Sequence, residues 1–325
     1  MRVQTLQTAQ NARTNIIMRI IFMGTPDFAV ESLKALVENK YNVVAVVTMP
    51  DKPAGRGHHL QQSPVKQYAL SAGLPVMQPE RLKDEQFLNQ LRSYNADLQI
   101  VVAFRMLPEA VWAMPPLGTF NLHASLLPQY RGAAPVNWAV INGDKITGAT
   151  TFLLKHEIDT GDILMQRTMQ IDDDDDAGTL HDKLMVMGAK MVTDTVDLIA
   201  SGNYTPLPQQ QQDELRPAPK IFRETCEIDW SMSAQRVHDF VRGLSPYPAA
   251  WTMMHIAGTT EMVKVFKTEI TDIERNQKTQ PGETVINSNE KTILVACQDY
   301  YIRLNEIQRP GKRRMTTKEA LNGIR

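Results

Sequence analysis

Short apolar runs alternate with helix-period segments through the first part of the chain, the pattern of β-α-β units wound into a mainly parallel sheet. Residues 20–23, 43–48, 99–104 and 150–154 read as strands. In DFAVESLKALVENK, Phe28, Leu33, Leu36 and Val37 fall at helical spacing, and Asp27 stands where a capping side chain would accept from the first turn. A longer helical pattern runs from about 179 to 200 and stops at Ser201-Gly202. A doubly wound α/β fold follows. The texture then changes: NYTPLPQQQQDELRPAPK is rich in Pro and Gln and carries neither period, so residues 203–222 read as a linker. Beyond it come one helix, SAQRVHDFVRGL, and strands at 250–255, 262–267, 283–287, 293–297 and 301–307. Such short strands with turns between them suggest a small β-barrel of the oligonucleotide-binding type. TTKEALNG closes the chain as a helix, with Thr316 and Glu319 spaced as a capping box and Gly323 as its stop. The expected division is an extension over 1–17, an α/β domain over 18–202, the linker, and a β-barrel domain over 223–325.

At 325 residues the chain exceeds one typical core, in keeping with two domains. Hydrophobic residues at 42% and charged residues at 22% indicate a soluble globular protein. The formal net charge of -1 leaves no global field to attract nucleic acid or membrane. A mild asymmetry lies beneath it: from Arg223 onward 15 basic side chains meet 13 acidic ones, and before it 20 meet 23. That sign suits a C-terminal part that meets a polyanion. Cys226 and Cys297 are far apart and outside any C-x-x-C pattern, so neither a disulfide framework nor a zinc site is indicated, and a cytoplasmic location is the simplest expectation. No apolar run reaches the ~18 residues of a membrane span. MRVQTLQTAQNARTN lacks the apolar core of a secretory signal; its Arg2 and Arg13 without an acid resemble a transit peptide faintly, and Met18 is an alternative start.

Four stretches carry candidate chemistry. In FMGTPDF a strand, Gly24 and a helix start form either a tight turn or an anion cradle, but the G-x-G-x-x-G of a dinucleotide fold is missing. MPDKPAGRGHHLQQSPVK brings Lys52, Arg56, His58, His59 and Lys66 together around Gly55 and Gly57, and reads either as a solvated loop or as a mobile basic loop that touches phosphates. In KHEIDTGDIL the second His of H-E-x-x-H is replaced by Thr160, which leaves Asp159 and Asp162 in a tight acidic loop where a carboxylate could orient an imidazole. The strongest stretch is FNLHASLLPQYRG. Strand alternation points Asn121 and His123 to one face, and the carboxyl end of a parallel strand is where open α/β sheets bind ligands.

MGTPDFA, PDKPAGRG, NLHASLLPQYRGAAPVNWAVINGD and DTGDIL, in this order, closely resemble the methionyl-tRNA formyltransferase family. The likeness continues through IDWS, PAAW and GKRRMTTKEALNGIR, and so covers nearly everything from Met18 onward. It implies that 18–202 is the catalytic domain and that 223–325 is a tRNA-binding barrel. The implied reaction passes the formyl group of 10-formyltetrahydrofolate to the α-amino group of methionyl initiator tRNA and needs no metal; separately, no membrane partner is expected, and a monomer is the expectation for an oligomeric state that the sequence leaves open. The family's catalytic Asn, His and Asp fall on Asn121, His123 and Asp159. The folate is expected against Val102, Phe104, Ser125, Leu126, Leu127 and Pro128, and the tRNA against Lys52, Arg56, His58, Lys264 and Arg313. The chain departs from the family pattern at His156 and Glu157, where many members carry Asp and Gly. It departs again in AFRMLP, which replaces the commoner Ala-Tyr-Gly and is one residue shorter.

Overall fold

In the computed structural model, which describes residues 18–54, 59–210, 214–256 and 258–322, strand β1 (Arg19–Gly24) leads into α1 (Asp27–Glu38) and β2 (Asn42–Val47). A short ribbon, β3 (Lys52–Ala54) with β4 (His59–Gln61), precedes α2 (Pro64–Ser71) and β5 (Val76–Met77). Next come α3 (Glu85–Ser93), β6 (Leu98–Val102), α4 (Glu109–Trp112) and β7 (Thr119–His123). α5 (Pro135–Ile141), β8 (Ile146–Leu153), β9 (Ile163–Gln170) and the long α6 (Ala177–Ser201) follow. The last part holds α7 (Ala234–Leu244), β10 (Ala250–Ile256), β11 (Thr259–Glu274), β12 (Thr284–Asn287), β13 (Thr292–Ala296), β14 (Tyr300–Gln308), β15 (Met315–Thr316) and α8 (Thr317–Leu321). The extension over 1–17, Arg56, His58 and the stop at Gly323 lie outside the described residues.

By their contacts the residues fall into two units that do not follow chain order. One holds Met1–His123, Thr151–Met165 and Met185–Pro208; the other holds Ala124–Thr150, Gln166–Leu184 and Gln209–Arg325. A seven-stranded sheet runs β5-β2-β1-β6-β7-β8-β9. β1 is parallel to β2 and β6, and β6 to β7. Ile20, Ile21, Phe22 and Met23 are wholly buried, because a parallel strand covered on both faces must be apolar on both. The chain leaves β1 toward β2 on one side and returns beside it at β6 on the other, so the carboxyl ends of β1 and β6 bound a switch-point crevice. Gly24 sits there in register with Val102, and a Cβ on it would lie 2.6 Å from that of Ala29. Three expectations shift. Asp27 is the first helical residue and makes no capping bond, since Pro26 occupies the cap position; its carboxylate serves the helix dipole instead. β6 ends at Val102, because Ala103 turns left-handed at φ 46°, and Phe104 therefore lies in the following loop. β11 runs on to Glu274, carried past residue 267 by register irregularities that keep it paired with β14.

The second unit contains an antiparallel sheet in the order β10-β11-β14-β13-β12, with β15 on β14. It is a half-barrel, with β10 and β12 at its edges. α7 buries Val237, Val241 and Leu244 against it, in a core shared with Ile141 of α5. α8 begins at the expected capping box: the Thr316 hydroxyl accepts from Glu319 N at 3.2 Å, and the Glu319 carboxylate accepts from Thr316 N at 2.9 Å. Arg216 and Ala218 of the Pro- and Gln-rich segment are bonded to residues 130–133. Ala218 N donates to Arg131 O at 2.9 Å, Ala133 N to Ala218 O at 2.8 Å, and Tyr130 N to Arg216 O at 2.7 Å.

Candidate active site

β7 carries Asn121 and His123 to the carboxyl end of the parallel strands. Asn121 stands in register with Val101 of β6, whose neighbour across the sheet is Met23 of β1. These residues mark the face packed by Phe87, Leu88 and Leu91 of α3. The intervening Leu122 points the other way, where its side chain meets Gly188 of α6. Asn121 and His123 therefore share one face, as alternation requires. Asn121 is half-buried and His123 is 7% exposed.

Asp159 comes from the loop between β8 and β9. Leu154 opens that loop and packs against the hydrophobic cluster that contains Val101, on the same face of the sheet as Asn121. Its N-H donates to Thr119 O on β7 at 2.8 Å. The loop is closed by Leu153 N to Asp162 O at 3.0 Å, by Thr160 Oγ1 to Glu157 O at 3.0 Å, and by Lys155 Nζ to Asp162 at 2.8 Å. Asp159 itself is left-handed, with φ 55°. Such strain in a non-glycine residue persists only where its surroundings hold it, and functional loops are where it concentrates. Gly161 supplies the close approach: a Cβ on it would lie 1.6 Å from Leu153 O. His156 reaches Glu109 of α4 at 3.2 Å, so one of the two unusual residues of this loop has a partner. An amide, a near-buried imidazole and a carboxylate loop thus belong to one side of the sheet. That set can donate to a developing oxyanion and move a proton.

The residues expected around a folate are spread over two segments. Val102 is wholly buried at the crevice, and Phe104 is half-buried beneath the Arg105 guanidinium, 5.6 Å from its ring centre. Arg105 pins the shortened AFRMLP segment by donating to Glu80 O at 2.8 Å and to Pro79 O, and burial lowers its pKa. Nothing in the local sequence pattern singled it out. Residues 125–128 form a built turn. Thr150 Oγ1 donates to Ser125 O at 2.7 Å and accepts from Leu127 N at 3.2 Å, while Gln166 Nε2 donates to Leu127 O at 2.8 Å. Ser125 Oγ donates to Gln129 O at 2.7 Å. Ser125, Leu127 and Pro128 are buried, and Leu126 is half-buried.

Among the expected RNA contacts, Lys52 is exposed on β3, and Arg56 and His58 lie outside the described residues. The ribbon is anchored by Asp51, which accepts from Lys66 at 2.6 Å and from Gln78 at 2.7 Å; these bonds hold its carboxyl below the usual range. Lys66 is spent there and drops out of the basic set. Lys264 is half-buried on β11, with Nζ 3.4 Å from Pro248 O. Arg313 pairs with Glu319 at 3.0 Å, and Arg314 with Glu306 at 2.6 Å while lying over the Phe266 ring. The half-barrel's Arg313 and Arg314 are therefore partly neutralised, and Lys267 is exposed on β11.

The formyl transferase family matches residues 18–196, and the formyl transferase C-terminal domain matches residues 220–325. The methionyl-tRNA formyltransferase of Parabacteroides distasonis is 59% identical over 314 residues, covering 95% of this chain and 96% of that protein. Its counterpart in Bacteroides fragilis is 57% identical over 311 residues, covering 94% and 95%. Among solved structures, HypX from Aquifex aeolicus in complex with tetrahydrofolic acid matches with a TM-score of 0.63 at 18% identity. That match covers 95% of this chain and 47% of HypX, so the chain spans about half its length, and at this identity the likeness is one of fold.

Proposed function

Because the chain belongs to the methionyl-tRNA formyltransferases, we propose that it transfers the formyl group of 10-formyltetrahydrofolate to the α-amino group of methionyl initiator tRNA. The observation that carries the mechanism is the amide and imidazole two residues apart at the carboxyl end of β7, on the face from which the Asp159 loop departs. Attack of the amine on the formyl carbon makes a new C–N bond and puts negative charge on the formyl oxygen. Asn121 and His123 donate hydrogen bonds to that oxygen. Asp159 orients the His123 imidazole, and the pair guides the amine's proton toward the leaving folate nitrogen as the old C–N bond breaks.

The folate lies against Val102, Phe104 and the turn at residues 125–128. This placement is supported by the switch-point position of Val102. The RNA lies against Lys52, Arg56 and His58 and against Lys264 and Arg313 of the half-barrel. The decisive experiment is formylation of Met-tRNA by the wild type and by His123→Ala, with tRNA binding measured in parallel. The variant should be nearly inactive and still bind tRNA. A wild type that transfers no formyl group with both substrates present overturns the proposal.

A further inference from the structure

Residues 214–219 lie between two regions of sequence, yet they are bonded along the loop that follows the turn at residues 125–128. Arg216 stands at the centre of these bonds. Its backbone N-H donates to Gln129 Oε1 at 2.8 Å, its carbonyl accepts from Tyr130 N at 2.7 Å, and its guanidinium reaches Asp144 at 2.7 Å and Tyr130 Oη at 3.3 Å. Tyr130 Oη in turn donates to Asp144 at 2.6 Å. Either side of Arg216, Gln129 Nε2 donates to Glu214 O at 3.0 Å, and Trp138 Nε1 donates to Pro219 O at 2.8 Å. Gly132 forms a parallel bridge with Ala218, so close that a Cβ on it would lie 2.5 Å from Ala218 O.

We infer that Arg216 is a positioning residue for the formyl donor: its clamp holds residues 129–134, and through them the turn at 125–128, in the shape that receives the folate. The inference rests on the reading that this turn faces the folate. Two features make the loop dependent on its strap. Tyr130 is left-handed at φ 59°, a conformation that an aromatic residue keeps only under outside restraint. Gln129 connects strap and turn directly, since its side chain is held by Arg216 and Glu214 while its carbonyl accepts from Ser125 Oγ. A strap that served only to tether two domains would need neither the Asp144 and Tyr130 partners nor the glycine-tight approach.

The test is equilibrium binding of folinic acid to full-length protein, alongside the KM for Met-tRNA. Arg216→Met should weaken folinic acid about fivefold to tenfold, the loss of roughly one charge-assisted hydrogen bond from a side chain that is 57% exposed. The KM for Met-tRNA should stay within about twofold, since the strap's effect is local to the donor side. Arg216→Lys, which keeps the charge but not the fork, should recover part of the loss. Gly132→Ala, which pushes Ala218 away without touching Arg216, should weaken folinic acid in the same direction. Unchanged folinic acid affinity in both Arg216→Met and Gly132→Ala overturns the clamp, as does an equal loss for both substrates that Arg216→Lys fails to rescue. A wild type that binds no folinic acid overturns the underlying reading of the turn, and the inference with it.

Discussion

Replacing Gly161 by Ala tests whether the Asp159 loop must hold its shape. The added methyl would sit 1.6 Å from Leu153 O and 2.8 Å from Leu153 C, against backbone that cannot swing aside as a side chain would. Carbon and oxygen do not settle closer than 3.0 Å, so the two segments must part by about 1.4 Å, the difference between those separations. Gly161 is two residues from Asp159, whose left-handed backbone is set within this loop. A misplacement of about 1 Å in a catalytic group can cost ~10²-fold, so kcat should fall on that order. The stability cost should be small by comparison. The threatened backbone bond, Leu153 N to Asp162 O, contributes about 1 kcal/mol, which is about 2–4 °C in Tm for a domain of this size. Initial rates at saturating substrates, with thermal melts on the same samples, separate the two effects. Asp159→Ala in the Gly161→Ala background should add little further loss, because both act on one group. A Gly161→Ala enzyme with more than about half the wild-type kcat, or one whose loss of rate equals its loss of folded protein, would refute the reasoning.

Asn121→Ala and His123→Ala should each lower kcat by ~10²–10³ while leaving tRNA affinity in a filter-binding assay unchanged. Removing Lys264 and Lys267 together should reduce the slope of log affinity for tRNA against log salt by about 1 per lysine, with kcat unaffected at saturating tRNA. His238, whose Nδ1 lies 3.0 Å from Thr268 Oγ1, has its pKa lowered by burial, with Arg242 adding to the effect and Asp239 opposing it. The unfolded chain therefore takes up this proton first as pH falls below 6.5, and stability is lost below that value rather than above it. Urea midpoints at pH 7.5 and 5.5 should differ less in His238→Gln than in the wild type, and equal differences would contradict the assignment.

The parallel strands and the long helix α6 were legible because each is bought by burial, and burial leaves a period in the sequence. The shared face of Asn121 and His123 was legible for the same reason: alternation is a local property of a strand. Asp159 could be suspected from its acidic loop but not placed. Its position depends on Leu154 packing against the cluster that contains Val101 and on Gly161 nesting over Leu153, contacts between segments with no common pattern. Phe104 was assigned to a strand because nothing apolar or polar announces the left-handed turn at Ala103. Segment 203–222 was legible as aperiodic and was therefore read as a linker. What holds residues 214–219 is a series of backbone bonds to residues 129–134, and backbone bonding without repetition leaves no trace in composition. Lys66 shows the converse: its charge suggested a phosphate contact, and the structure spends it on Asp51.

The core of the second unit has a consequence for how such chains can be recombined. Ile141 and Trp138, from well before the linker, pack with Val237, Val241 and Leu244, and Gly243 leaves so little room that a methyl there would lie 2.5 Å from Ile141 Cγ1. Asn137 Nδ2 donates to Gly243 O at 2.8 Å. A chimera joined at residue 220, where the family's C-terminal domain begins, would therefore pair one parent's α5 with the other parent's α7. Crossovers between relatives should succeed where α5 and α7 come from the same parent or match at these positions, whichever parent supplies β7. The module that can be exchanged is set by this packed pair of helices and not by the order of the sequence.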